Sequence, residues 1–333
     1  MKEALFYEKL KNKEVKCVLC PRNCVIKENS SGFCRARKNI KGKLYSLVFG
    51  KPAAQNMDPI EKKPLYHFRP GSFVFSIGTV SCNFRCPFCC NWDITTESPG
   101  SAFETDLSPE QAVKKALSYG ASGIAYTYNE PTIFFEYAYE TAKLAKKNGL
   151  FNVFVTNGYT EIKPVKKISK YLDAVVIDLK GFNSGYYEKV IKGNLEKIKS
   201  AVLEYKKNNV WVEISNLVIE GINDSNEDMK EMCRWISSEL GKNIPLHIIG
   251  FYPSYLMKKT KPAGIGRIKE IYSIAKSYGL KYVYARFEDK FDTKCTKCGR
   301  TAVARSLYDF SVMENNTDNG RCVFCGAQAD IKV

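Results

Sequence analysis

The chain has 333 residues, of which 44% are hydrophobic, and its formal net charge is +16. This length suits one domain of ordinary size with small appendages, and the absence of a signal-peptide core or a membrane-length apolar run predicts a cytoplasmic protein with no membrane partner. The positive charge is compatible with a nucleic-acid partner, but the lysines are scattered along the whole chain, which favours a well-solvated surface.

Residues 1–71 carry four cysteines and no regular alternation of strands and helices, so we interpret them as a Cys-rich N-terminal extension. The whole chain has 13 cysteines, and in an intracellular protein so many thiols favour metal sites over disulfides. The N-terminal group can bind either a structural zinc ion or an auxiliary iron–sulfur cluster, and its spacing excludes neither. Its members are Cys17, Cys20, Cys24 and Cys34.

Residues 72–290 alternate short apolar runs with amphipathic segments, which is typical of an α/β fold with a parallel sheet. Six βα units are too few for a full eight-fold barrel, so we predict a partial (βα)6 TIM-like barrel. Functional residues in barrels gather at the carboxyl ends of the strands. The predicted strands are 73–78, 123–126, 151–155, 174–178, 211–216, 246–250 and 282–284.

A CxxxCxxC motif, formed by Cys82, Cys86 and Cys89, directly follows the first predicted strand. Three close cysteines can hold three irons of a 4Fe-4S cluster and leave the fourth iron open for a substrate or cofactor, whereas a closed structural site needs a fourth ligand. The motif therefore predicts a catalytic cluster. A zinc site and chance clustering are the alternatives.

Polar residues follow the next three predicted strands, at the edge where the cysteine motif also lies. Asn129 and Glu130 come after the second strand, and Asn157 comes after the third. Asp178 and Lys180 end the fourth strand, and their spacing of two places both side chains on one side. A simple turn is the alternative for the first pair, and a surface ion pair is the alternative for the last.

Two further residues belong to the later strands. Gly221 follows the fifth strand and would allow close approach of the backbone to a ligand. His247 lies within the sixth strand, where it is either a hydrogen-bonded core residue or a part of the site.

Residues 291–333 contain two CxxCG motifs, which are typical of a zinc ribbon. Four thiolates close a tetrahedral site, so we predict a bound zinc ion with a structural role. The predicted ligands are Cys295, Cys298, Cys322 and Cys325.

The cysteine motif, with Phe88 directly before its third cysteine, resembles that of the radical S-adenosylmethionine (radical SAM) superfamily. The resemblance implies that SAM chelates the open iron and that one electron cleaves it to a 5′-deoxyadenosyl radical, which abstracts hydrogen from a substrate. It also implies an electron donor such as ferredoxin or flavodoxin. Contacts with SAM are then expected from Phe88 and from the polar groups at the strand ends, which are Asn129, Glu130, Asn157, Asp178, Lys180, Gly221 and His247.

Within that superfamily, the layout resembles the radical enzyme of the AmmeMemoRadiSam system, in the branch related to pyruvate formate-lyase activating enzymes. The matching segments are CPRNC at 20–24, DPIEKKPL at 58–65 and CCNWD at 89–93. Cys90 departs from this pattern, because glutamine is usual at its position. The resemblance implies companions similar to Memo and AMMECR proteins.

Two alternative functions stay open at this point. The first is a glycyl-radical activase, which needs a partner protein with a glycine-radical loop. The second is a zinc-stabilised RNA-binding or RNA-modifying protein, which rests on the ribbon and the basic charge.

Overall fold

A mixed eight-stranded sheet forms the centre of the computed structural model, which describes residues 1–287, 291–306 and 308–333. Seven of its strands are parallel and follow one another in chain order. The strands, from one edge to the other, are Ala54–Pro59, Phe73–Gly78, Gly123–Tyr126, Phe151–Thr156, Ala174–Leu179, Trp211–Val218, Leu246–Gly250 and Val283–Ala285.

All seven predicted strands occur within two residues of their expected bounds. They were recognisable because parallel strands covered on both faces are nearly continuous apolar runs. The α/β class is confirmed, with a mixed sheet, while the (βα)6 closure of that sheet stays a prediction.

The edge strand Ala54–Pro59 was not predicted. It pairs antiparallel with Phe73–Gly78 along its full length, although its sequence, AQNMDP, has neither apolar continuity nor alternation. It lies outside the predicted barrel segment 72–290 and extends the same sheet. The division of the chain into three domains stays a prediction.

Helices connect the parallel strands, as the amphipathic segments predicted. The predicted capping box is present: Ser108 Oγ accepts from the backbone of Gln111 at 3.2 Å, and the Gln111 side chain accepts from the Ser108 N–H at 2.7 Å. The α-helices are Trp92–Thr95, Pro109–Ser118, Phe135–Lys147, Ile162–Ile168, Ser184–Tyr186, Leu195–Lys207, Asn226–Trp235 and Ile265–Ser277. Shorter 3-10 or π turns are Lys11–Lys13, Ile60–Lys62, Pro131–Phe134, Tyr187–Ile191, Ile236–Leu240 and Tyr255–Met257.

Small sheets flank the central one at both ends of the chain. The N-terminal strands are Lys2–Glu3, Tyr7–Lys9, Val15–Cys17, Val25–Ile26, Arg37–Ile40 and Lys43–Ser46. The C-terminal strands are Thr293–Lys294, Thr301–Arg305, Val312–Asn315, Thr317–Asp318 and Arg321–Cys322. Across the described ranges, no helix combines the length and the apolar character needed to cross a membrane. A cytoplasmic location stays a prediction.

A buried carboxylate organises the interior of the sheet away from the cysteine motif. Glu213 is fully buried and accepts from the backbone N–H groups of Tyr66 and His67, at 3.0 and 2.9 Å. It also accepts from Trp211 Nε1 at 3.1 Å and from His247 Nε2 at 2.7 Å. Burial alone would raise the pKa of Glu213, but the hydrogen bond from His247 lowers it below its usual value.

The C-terminal segment packs against this same region. Arg305 donates to the carbonyl of Tyr66 at 2.6 Å, and its guanidinium lies over the Tyr66 ring at 4.2 Å. The backbone N–H of Lys332 donates to the carbonyl of His67 at 2.7 Å. The ribbon is therefore attached to the sheet through the residues that Glu213 holds.

Candidate active site

One cavity at the carboxyl ends of the parallel strands brings the cysteine motif together with the polar strand-end residues. Its volume is about 390 Å³, which is within the usual range of small-molecule sites. The predicted site residues that line it are Cys82, Cys86, Phe88, Cys89, Asn129, Glu130, Asn157, Asp178 and Lys180.

The start of the cysteine loop is fixed by the side chain of Asn129. Its amide nitrogen donates to Thr79 Oγ1 at 3.0 Å and to the carbonyl of Ser81 at 2.9 Å, and its oxygen accepts from the Thr79 N–H at 3.1 Å. Ser81 has a positive φ of 72°, so this turn depends on such bonds. Asn129 therefore shapes the loop more than it presents a free polar group to a ligand.

Two other parts of the chain hold the remainder of the loop. Asn157 Nδ2 donates to Asn83 Oδ1 at 2.9 Å, inside the CxxxCxxC motif. From the opposite side, Ser254 Oγ donates to the carbonyl of Cys89 at 3.0 Å, and the Leu256 N–H donates to the carbonyl of Pro87 at 3.0 Å. The loop geometry is thus set by distant segments.

Glu130 is buried and already bonded. Oε1 accepts from the Thr132 N–H at 2.9 Å and from Thr156 Oγ1 at 2.7 Å, while Oε2 accepts from the Asn157 N–H at 2.8 Å. Burial raises its pKa. A carboxylate has about four acceptor positions, so Oε2 retains capacity for one further donor from the cavity.

Asp178 and Lys180 form an ion pair of 3.1 Å within the cavity wall. Their side chains are 29% and 20% exposed, so a ligand in the cavity can reach both. Burial alone would lower the pKa of Lys180, but the carboxylate of Asp178 raises it well above its usual value. Lys180 therefore offers a permanent positive charge to an anionic ligand.

The three motif thiols suit a multi-iron cluster. Burial raises the pKa of Cys82, and it raises that of Cys86 to about 12, so a bound metal must displace their protons. In the described chain they do not belong to a group of ligand atoms that all lie within 4.8 Å of one another. Thiolates that each bind a separate iron do not need to lie that close together.

Comparison with known proteins agrees with this chemistry. Residues 76–236 match the family model of the Radical SAM superfamily. The uncharacterized protein MJ0808 of Methanocaldococcus jannaschii is 40% identical over 334 aligned positions, which cover 99% of each chain. The chain belongs to the radical SAM superfamily. It is therefore a radical SAM enzyme, and members of this superfamily use a 4Fe-4S cluster, SAM and an electron donor.

Two solved structures match parts of the chain. SuiB of Streptococcus suis bound to S-adenosylmethionine is 12% identical, with a TM-score of 0.50, over 68% of this chain and 52% of that chain. A domain of a pyruvate-formate lyase-activating enzyme from Bacteroides vulgatus is 16% identical, with a TM-score of 0.44, over 50% of this chain and 99% of that chain. At such identities the SuiB match shows a shared fold alone.

Two residues that the radical SAM resemblance placed near SAM do not line the cavity. His247 is buried and bonded to Glu213, and it does not line the cavity. Gly221 has a positive φ of 76°, and no atom lies within 4 Å of a Cβ built there. It also does not line the cavity, and its N–H donates to Asp224 at 2.8 Å. A role near SAM for either residue stays a prediction.

Sequence reasoning missed Tyr128, which lines the radical SAM cavity with a positive φ of 69°. Its hydroxyl donates to Asp58 Oδ2 at 2.8 Å, and Lys63 Nζ donates to the same oxygen at 2.7 Å. The segment 58–65 thus reaches the site through one tyrosine. The signal that could have identified it is its position directly before Asn129 and Glu130, after the strand Gly123–Tyr126.

Ser215 also lines the cavity and was not predicted. It lies two residues beyond Glu213 on the strand Trp211–Val218, and Leu217, two residues further, lines the cavity as well. Because alternate residues of a strand share a face, this period could have identified the inward side of the strand.

The ribbon cysteines form a separate group that can hold a metal ion. The four ligand atoms lie within 4.8 Å of one another. Cys295 Sγ is 3.6 Å from Cys325 Sγ, and Cys298 Sγ is 3.8 Å from Cys322 Sγ. Tetrahedral zinc with Zn–S bonds of about 2.3 Å requires sulfur–sulfur distances of about 3.8 Å, so this spacing suits a single zinc ion.

Proposed function

We propose that this enzyme cleaves S-adenosylmethionine reductively at a 4Fe-4S cluster held by Cys82, Cys86 and Cys89. A cluster held there would supply one electron to break the sulfonium C–S bond of SAM, which would release methionine and a 5′-deoxyadenosyl radical able to take a hydrogen atom from a substrate. The observation that carries the proposal is that the three thiols and the Asp178–Lys180 pair line one cavity.

The chain's own residues have distinct roles in this proposal. Lys180 pairs with the methionine carboxylate, and Asp178 holds Lys180 in place through their 3.1 Å contact. The remaining acceptor position on Glu130 suits the methionine amino group. Asn129 and Asn157 position the cysteine loop and are not themselves bound to SAM.

Aromatic side chains complete the cavity wall and restrict access of water. Phe84, Phe88 and Phe251 line the cavity and are each at most 5% exposed. A dry wall of this kind protects a reactive intermediate from side reactions.

Replacing Lys180 by methionine tests the SAM site. The variant keeps most of the stem and removes the charge. Loss of a charge-assisted contact costs about 1.5–3 kcal/mol, so SAM affinity should fall roughly ten- to a hundredfold. Affinity is read from the change in the electron paramagnetic resonance spectrum of the reduced cluster as SAM is added under anaerobic conditions.

The matched control is Lys207→Met, at the exposed end of the helix Leu195–Lys207. It should bind SAM like the parent, and both variants should retain the cluster spectrum seen without SAM. Equal SAM affinities for Lys180→Met and Lys207→Met would place Lys180 outside the site.

The branch of the superfamily is also a proposal. We infer a relationship to the AmmeMemoRadiSam radical enzyme, with Memo-like and AMMECR-like proteins as companions. It is supported by two of the matching segments, since both reach the site: Arg22 of CPRNC donates to the carbonyl of Asn83 at 2.7 Å, and segment 58–65 bonds Tyr128. A glycyl-radical activase is the alternative within the superfamily. Because the chain belongs to a superfamily of enzymes, a catalytic role is favoured over simple RNA binding.

The ribbon is proposed to be a structural zinc site. Replacing Cys295 and Cys322 by serine should lower the zinc content from about one ion per chain to near zero. It should also lower the midpoint of thermal unfolding, because metal binding contributes folding free energy. Cys90→Ala, outside the ribbon, should retain zinc. Iron in place of zinc at the intact ribbon would contradict this assignment.

A further inference from the structure

The four N-terminal cysteines meet around a second, enclosed cavity. Cys17 is 7% exposed, and the other three are partly buried. Thr132 and Ile133, which follow the strand Gly123–Tyr126, close the cavity from the side of the central sheet. The thiols therefore share a cavity between the N-terminal extension and the central sheet. The four cysteines that line this cavity are Cys17, Cys20, Cys24 and Cys34.

Their arrangement differs from that of the ribbon. Both groups have four thiols, yet in the described chain only the ribbon thiols form a set within 4.8 Å of one another. A single zinc ion would require sulfur–sulfur distances of about 3.8 Å. The N-terminal thiols, like those of the core motif, do not form such a set in the described chain, which suits thiolates that bind separate irons.

A buried arginine supplies a second observation that points to a ligand. Arg37 lines the cavity and is 1% exposed. Its two terminal nitrogens donate to Glu136, at 3.1 and 2.5 Å, but its Nε has no hydrogen-bond partner. A buried N–H without a partner is costly. An anionic, sulfur-rich group in the cavity would accept this hydrogen bond.

The N-terminal cysteine segment and the core cysteine loop are bonded to each other reciprocally. Arg22, between Cys20 and Cys24, donates through Nε to the carbonyl of Asn83 at 2.7 Å. Arg85 of the core loop donates to the carbonyl of Phe33 at 2.5 Å and to that of Cys82 at 2.7 Å.

The two guanidiniums share one aromatic ring. Arg22 and Arg85 lie 3.5 and 4.3 Å from the centre of the Phe33 ring. The Arg85 guanidinium thus donates both to the carbonyl of Cys82, in the core motif, and to the carbonyl of Phe33, directly before Cys34. The N-terminal cysteine segment and the core cysteine loop are thus joined by short, charge-assisted hydrogen bonds.

We propose that Cys17, Cys20, Cys24 and Cys34 hold a second 4Fe-4S cluster that passes electrons to the core cluster. Four thiolates close this cluster, so it binds no SAM. A low-potential protein donor reduces it by one electron, and it returns to its oxidised state as that electron reduces the core cluster. With four thiolates its oxidised form carries a net charge of −2, which Arg22, Arg37 and Arg85 offset. This transfer of electrons, the relay, rests on the proposed cleavage of SAM at the core cluster. The binding of a second cluster by the four N-terminal cysteines does not.

The first test is metal analysis and electron paramagnetic resonance of anaerobically reconstituted, full-length protein. The parent should hold about eight irons per chain and show two reduced-cluster signals, of which SAM shifts one. The Cys82→Ala, Cys86→Ala, Cys89→Ala triple variant should keep about four irons and a signal that SAM does not shift. If this variant holds no iron, or an additional zinc, the second cluster is refuted.

The same measurement separates the two proposals. A parent with one cluster whose signal SAM shifts would refute the N-terminal cluster and leave the proposed function standing. A parent with two clusters, neither of which responds to SAM, would refute the proposed function and leave the N-terminal site standing. The triple variant leaves the N-terminal thiols intact. It therefore tests whether they bind a cluster even if variants of the N-terminal cysteines fail to fold.

The relay is tested with a Cys20→Ala, Cys24→Ala variant and two reductants. With reduced flavodoxin, cleavage of SAM should fall by roughly tenfold or more, whereas with titanium(III) citrate, a small reductant, it should stay within about twofold of the parent. Equal rates of SAM cleavage for variant and parent with flavodoxin would refute the relay. The relay would also be refuted if the variant retained the signal of the core cluster but lost the same fraction of its cleavage rate with both reductants.

Discussion

The Cys82→Ala, Cys86→Ala, Cys89→Ala triple variant is expected to lose all cleavage of S-adenosylmethionine. The three thiols line the central cavity and are the proposed ligands, so without them no iron should remain there to bind SAM. The chain should lose about four irons together with the signal that shifts when SAM is added. Production of 5′-deoxyadenosine, measured by chromatography after reduction, should fall to the background rate.

Cys90→Ala is the matched control for that triple variant. Cys90 directly follows Cys89, also lines the cavity and is exposed, so it is the thiol best placed to substitute for a ligand. The control should keep both the cluster and the cleavage reaction. If Cys90→Ala abolishes the cluster while the single variant Cys89→Ala spares it, the third ligand is wrongly assigned.

Glu213→Gln should destabilise the protein by about 3–5 kcal/mol, as expected when one partner of a buried charged network is removed. The carboxylate accepts from four donors, and the amide would turn an N–H group toward some of them. Because the pKa of Glu213 is lowered on folding, the carboxylate stabilises the fold at neutral pH, and this contribution is lost as the pH falls through the folded pKa.

Urea unfolding followed by tryptophan fluorescence measures this loss, with parent and variant compared in the same metal-loaded state. Glu227→Gln is the control, because Glu227 is an exposed residue near the start of the helix Asn226–Trp235. It should change the free energy of unfolding by no more than about 0.5 kcal/mol. Similar unfolding midpoints for the two variants would show that the Glu213 network contributes little.

The sheet was predictable from sequence wherever burial on both faces leaves a continuous apolar run. The strand Ala174–Leu179, AVVIDL, is such a run, and its polar residue falls at the carboxyl end, where the cavity lies. The strand Ala54–Pro59 was not predictable, because it is polar, half-exposed and defined by its pairing with Phe73–Gly78. Local patterns carry no information about such a partner.

Many of the residues that line the cavity were predictable from sequence, and the contacts of its polar residues were less so. Asp178 and Lys180 meet as their spacing implied. His247 was ambiguous because its partner, Glu213, is 34 residues away in sequence. The contact of Arg22 with Asn83 spans 61 residues. No local motif specifies contacts over such separations.

The hydrogen bonds that hold the cysteine loop have a consequence for how the enzyme is assembled. Asn129, Asn157 and Ser254 hold this loop from separate parts of the chain. Because only the folded sheet brings these segments together, the conformational entropy of the loop is reduced when the sheet forms. We expect that removing one of these bonds loosens the loop and lowers the yield of cluster reconstitution while the sheet stays folded.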